Sequence, residues 1–143
     1  MKHIFGTLIL SAFILLLVAS LAAPIAVQAG SPFNGAWWAI DVPDGSYMKL
    51  MIGGGGRANK FNVHYIDFGA SVCGKDANDQ PLYAATISGK GKANGNTLDV
   101  GVVSIYCLAH PKYVWGTTNM WFEYNPATDT LWDGWVTWHR MGK

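Results

Sequence analysis

From about residue 30 onward the chain alternates apolar and polar positions in short runs, broken by Gly, Asn, Asp and Pro. Period two marks a strand with one buried face, and no helical periodicity competes with it there. Residues 36–42 place Trp38, Ile40 and Val42 on one face and Trp37, Ala39 and Asp41 on the other. Pro43-Asp44-Gly45-Ser46 then turns the chain, because proline presets φ and glycine accepts a positive one. Residues 46–52 set Met48, Leu50 and Ile52 against Tyr47, Lys49 and Met51. After a run of four glycines, residues 60–67 set Phe61, Val63 and Tyr65 against Asn62, His64 and Ile66.

Residues 70–73 read as a short piece pairing back before the polar loop 74–80. Residues 83–90 and 97–107 are two further strands, joined around Asn94-Gly95-Asn96, a strong hairpin signal. Residues 117–124 and 131–140 are the last two, joined by the polar segment 125–130. Seven or eight strands with local connections predict an all-β domain over 30–143, a single up-and-down antiparallel barrel. A small sandwich is the alternative. The barrel is preferred because closure removes unpaired edges.

The first 29 residues follow another logic. Lys2 and His3 precede an apolar run from Ile4 to Ala23, and Val27-Gln28-Ala29 supplies a small-x-small cleavage pattern. This is the layout of a secretory signal peptide, with the mature chain starting at Gly30. The run is near the ~20 residues of a membrane span, so an uncleaved anchor is the competing reading. Pro24, the Val-x-Ala site and the absence of a following basic cluster favour cleavage and release. The expected location is secreted or periplasmic, with no stable membrane insertion after cleavage.

Removing residues 1–29 takes away Lys2 and none of the acidic side chains, leaving basic and acidic groups equal in number. A balanced chain lacks the positive field that nucleic acid or an anionic membrane requires. Cys73 and Cys107 are the only cysteines, and in an oxidising compartment such a pair forms a disulfide. A metal site would need further ligands at close spacing, and His64 and His110 offer no such pattern. No metal or other cofactor is expected.

The two ends of the mature chain carry a further pattern: Gly35-Ala36-Trp37 opens the first strand and Trp138-His139-Arg140 closes the last. This resembles the calycin group of lipocalins, fatty-acid-binding proteins and avidins. There a Gly-x-Trp begins the barrel and a final-strand arginine lies across the indole. The resemblance implies structural roles for Trp37 and Arg140, through cation–π stacking and guanidinium hydrogen bonds. Gly45-Ser46-Tyr47-Met48, Phe61-Asn62-Val63-His64-Tyr65-Ile66 and Asn119-Met120-Trp121 are similar to avidin segments. In avidins the Ser and Tyr hold the biotin ureido oxygen and the Trp faces the ligand. The chain departs from avidins at Ala39, where they carry Asn, in a longer first turn and in its cysteine pair. Biotin is one ligand the resemblance implies.

All seven tryptophans lie beyond residue 30. Neighbours such as Trp37 and Trp38 cannot both face inward on a regular strand, and Trp132, Trp135 and Trp138 share no period-two face. Some indoles therefore belong at a barrel mouth or on the outer surface. Exposed aromatics in an exported protein suit an apolar or aromatic ligand, a sugar ring, or contact between copies. Tyr65, Trp115, Trp121, Trp132 and Trp135 are the candidate ligand-binding residues.

Other motifs point to no chemistry. Asp76, Asn78 and Asp79 lack calcium-loop spacing and read as a solvated turn. The glycines before Arg57 lack the Gly-Lys-Ser/Thr of a phosphate loop. Ser71, Ser88 and Ser104 have no nucleophile-elbow context, and His64, His110 and His139 no motif partner. The chain reads as an exported, non-enzymatic barrel for a small apolar or aromatic molecule. The alternative is a glycan-binding or envelope surface-interaction module, with self-association open to either.

Overall fold

The computed structural model describes residues 30–142 except 57, 76, 79–82, 110 and 111. The N-terminal segment 1–29, Arg57, Asp76, Asp79 and His110 lie outside the described residues. Eight strands form a closed antiparallel barrel with neighbours in chain order. They are β1 (Gly35–Ile40), β2 (Tyr47–Gly54), β3 (Lys60–Asp67), β4 (Ala85–Asn94), β5 (Thr97–Cys107), β6 (Val114–Asn125), β7 (Thr130–Trp132) and β8 (Thr137–Arg140). β1 closes the ring on β8, with Trp37 opposite Arg140 and Trp38 opposite His139.

The alternation places the faces as it must in a barrel of this size. Trp37, Ala39, Met48, Leu50, Ile52, Phe61 and Val63 point inward and are buried. Their neighbours Trp38, Tyr47 and Met51 stand on the outer face, where Trp38 stacks on Tyr47 (centroids 6.5 Å apart) and tilts against His139 (5.1 Å).

Two expectations are corrected. Residues 71–73 form a short 3-10 turn, not a strand, and only Cys73 of it is buried. Residues 131–140 are not one strand but two, β7 and β8, separated by a tight turn. Asp133 makes that turn: its Oδ1 accepts from the amides of Trp135 (2.9 Å) and Val136 (2.9 Å). Gly134 follows at φ 91°, where other residues are strained. The Asp-Gly pair inside an apolar run was the signal for it.

β5 also changes face along its length. Leu98 and Val100 pack on the core, but past Gly101 the inward residues are Val103, Ile105 and Cys107, while Val102 is exposed. A bulge between Asp99 and Gly101 causes the switch: Gly101 sits at φ 73° and donates its amide to the Asp99 carboxylate at 2.9 Å.

Because the topology is strictly up-and-down, connections alternate between the two ends. The end where β1 begins and β8 finishes is plugged by Phe33 and Trp37. The Trp37 indole N–H donates to the Phe33 carbonyl at 3.0 Å, and Phe33 meets Phe61 edge-on at 5.8 Å. Arg140 lies over Trp37, donates to the Asn34 and Pro32 carbonyls, and pairs with Asp129. At the opposite end, Cys73 and Cys107 are disulfide-bonded, with Cα atoms 5.5 Å apart. That bond suits an oxidising, extracytoplasmic compartment. Among the described residues no helix is long and apolar enough to cross a membrane.

Candidate functional site

The unplugged end of the barrel holds a cavity of about 410 Å³, within the usual range for small-molecule sites. Its floor is set by β8, β3 and β6. Trp138 meets Tyr65 edge-on at 5.6 Å and Phe122 at 6.4 Å, so three rings from three strands lock one another. Trp138 is held further by its indole N–H, which donates to Asp133 Oδ2 at 2.9 Å. Ile87, Ile105, Met48 and Met120 add apolar walls above that floor.

The rim is different in character. Asp41 leaves the end of β1, Asp67 ends β3 and Asp133 sits in the β7–β8 turn; all three line the cavity. Among the described lining residues none is basic. Asp67 is only 6% exposed. Its Oδ1 accepts from the Ser46 hydroxyl (2.7 Å) and the Gly69 amide (3.0 Å), which ties the β1–β2 connection to the loop after β3. Among the described residues both bonds fall on Oδ1.

Burial raises the Asp41 carboxyl above its ordinary value, and the nearby Asp44 and Asp67 add to the rise. The Trp135 side chain and the Val42 amide work in the opposite direction. Burial, followed by the charges of Asp67, Asp41, Asp133 and Asp44, also drives the Tyr65 phenol upward. It therefore stays protonated and donates its O–H to Met48 Sδ at 3.0 Å.

The disulfide shapes this mouth. Cys107 ends β5 opposite Ala85 of β4, and Cys73 closes the 3-10 turn. Their bond holds the turn beside the barrel end, where Ala70, Ser71 and Val72 line the cavity.

Of the five candidate ligand-binding residues, Tyr65 and Trp135 meet at the cavity. Trp135 stands at the lip and is 63% exposed. Trp115 instead is an extra residue at a bulge in β6, 57% exposed, beside a separate depression of about 310 Å³ next to the disulfide. Trp121 lies on the outer side of β6, over Gly134, and Trp132 is on the outer surface at 41% exposure. Ser46, which the avidin resemblance places beside Tyr65 at the ligand, is engaged with Asp67 and does not line the cavity.

The rim carboxylates are missing from the sequence reading as site residues. Their signal was the alternation itself. Asp41 continues the inward series of Trp37 and Ala39, and Asp67 continues that of Phe61, Val63 and Tyr65. A carboxylate at an inward position is rare in a barrel unless something holds it. His64 and Ser88, 2.8 Å apart, are a directly opposed cross-strand pair away from the cavity. No protein-family model, curated protein or solved structure matches the chain significantly.

Proposed function

We propose that this protein is an exported, non-enzymatic barrel that binds a small molecule with an apolar or aromatic body in its open end. The observation that carries the reading is the asymmetry of the lumen. One end is plugged by Phe33, Trp37 and Arg140, while the other keeps a cavity of about 410 Å³ floored by Tyr65, Phe122 and Trp138. A barrel needing only stability would fill both ends, since an unfilled apolar volume costs contacts. The avidin-type and lipocalin-type resemblance supports the same mode of use, with biotin as one member of the ligand set to try.

Trp135 and Trp138 line the cavity, so an occupant changes their surroundings and their fluorescence. Titration with a panel of hydrophobic and aromatic ligands, biotin included, should give a saturable change in emission with at least one. A flat response across the panel sinks the proposal.

A second reading has its own observation. Trp38, Tyr47 and Phe68 form a continuous aromatic strip on the outer surface, with Tyr47 and Phe68 centroids 5.8 Å apart. Exposed aromatic strips of this kind suit sugar rings or a second copy of the chain. Retention on immobilised glycans, or sedimentation that grows with concentration and is lost in Trp38→Ala, supports that reading over the first.

A further inference from the structure

Resting on the cavity reading just given, we infer that the ligand is an organic cation: an aromatic or apolar body carrying an ammonium group held at the rim.

The lining divides the molecule that would fill it. Below lie the apolar walls and the rings of Tyr65, Phe122 and Trp138; above lie three carboxylates and the exposed Trp135. Among the described residues, Asp41, Asp67 and Asp133 face a cavity whose lining includes no basic side chain. Basic and acidic groups are equal in number past residue 29. A mouth whose described charged lining is acidic therefore departs from the rest of the chain, and low-dielectric walls focus its field inward.

The three carboxylates are not equivalent. Asp133 spends both oxygens on Trp135, Val136 and Trp138 and serves the architecture. Asp67 is only 6% exposed, and among the described residues both of its hydrogen bonds fall on Oδ1. Hydrogen bonds from a cation to a carboxylate in so sheltered a residue are the strong kind, so an ammonium donating to Asp67 Oδ2 gains more there than in water. Asp41, beside it, is crowded by like charges that an ammonium would relieve. The rim asks for a cation with N–H donors.

A metal ion fits poorly. Among the described residues no group of three or more His, Cys, Asp or Glu is placed to hold one. An ammonium needs fewer ligands, donates directly to carboxylates, and gains from the π faces of Trp135 and Tyr65. The apolar floor then takes the body attached to it.

Three probes with one body separate the terms: 4-phenylbutylamine, 4-phenylbutan-1-ol and 4-phenylbutanoate, each titrated calorimetrically into the mature protein. The amine should bind roughly tenfold or more tightly than the alcohol, the size expected of hydrogen bonds to a charged group. The acid should bind least. Asp41→Asn and Asp67→Asn should each shrink the amine's advantage while leaving the alcohol's affinity in place. Rising salt should weaken the amine alone, a check on the wild-type protein that needs no variant. If the alcohol or the acid matches the amine, the cation is refuted while the cavity reading stands. If none of the three binds, the cavity reading falls with it. An amine preference that survives both substitutions overturns the assignment to these carboxylates.

Discussion

The guanidinium carbon of Arg140 sits 3.9 Å from the centroid of the Trp37 ring, joining the last strand to the first across the plugged end of the barrel. The contact is one part of a wider closure. Arg140 Nε and Nη2 grip Asp129 with bonds of 2.9–3.1 Å, and Nη1 and Nη2 each donate to a backbone carbonyl at 2.6 Å. Asp129 in turn accepts from the Tyr124 hydroxyl at 3.1 Å, so β6 is drawn into the same network. Both charged side chains are largely buried, at 18% and 20% exposure.

Arg140→Ala should therefore destabilise strongly. The stacking is worth about 2 kcal/mol when partly desolvated, and stranding Asp129 raises the total to roughly 3–5 kcal/mol. In a domain of this size that is a fall in Tm of more than about 10 °C. Arg140→Lys should recover only part, since an ammonium cannot supply the planar fork to Asp129 and both carbonyls. Thermal melts followed by near-UV circular dichroism check this, and a wild-type melt for Arg140→Ala would refute the closure argument.

Removing the disulfide should act on a different place. Closing a loop of about 34 residues stabilises by roughly 3–4 kcal/mol on the chain-entropy model. Cys73→Ala/Cys107→Ala should lower Tm accordingly and free the 3-10 turn at the mouth, weakening ligand binding beyond the loss in stability. Intact mass before and after reduction and alkylation checks the bond. Two alkylatable thiols in native material would refute it.

Much of this barrel was legible because its strands repeat a simple rule. The inward faces of β2 and β3, the bounds of β3 and β5, the disulfide and the Trp37–Arg140 stack all follow from alternation, cysteine pairing and the end motifs. Along residues 36–42, by contrast, the more apolar face, Trp38, Ile40 and Val42, is the outer one. Less legible were places where a side chain overrides the rule. Asp133 breaks a run of apolar residues by capping two amides, and Asp99 with Gly101 shifts the face of β5 by one residue. Asp129 was hidden for another reason: its partnership with Arg140 spans the chain end and exists only once the barrel closes. Trp135 was singled out by its type and Tyr65 by the avidin resemblance, and both line the cavity. Asp41 and Asp67 were readable from their parity, but their meeting at one rim required the closure of the sheet.

Ile105→Trp offers a clean separation of binding from stability. Ile105 is half-buried on the cavity wall next to empty volume, so a larger ring enters space that no side chain occupies. The usual cost of overpacking, about 1–3 kcal/mol, should be reduced or absent. Binding of any cavity ligand should be lost while the melting curve stays near wild type. Retained binding at full affinity would show that ligands use another surface, such as the outer aromatic strip.

Asp41 links stability to pH with a sign that can be worked out. Its carboxyl is raised above the ordinary value of 3.8, first by burial and then by Asp44 and Asp67, so the folded chain holds this proton more tightly than the unfolded chain. Below the ordinary value both states are protonated and Asp41 costs nothing. As pH rises from there through the raised folded value, the folded state is penalised, and above it the penalty is complete. Asp41→Asn should therefore raise Tm at neutral pH, and the gain should shrink as the pH falls through the raised folded value and be gone below the ordinary value of 3.8. Melts of both proteins across that range check the sign. A variant less stable than wild type at every pH would mean that the Trp135 and Val42 donors outweigh the charge. If the stabilised variant also loses its preference for the amine, Asp41 is a residue kept at a cost to the fold, as groups that meet a ligand's charge commonly are.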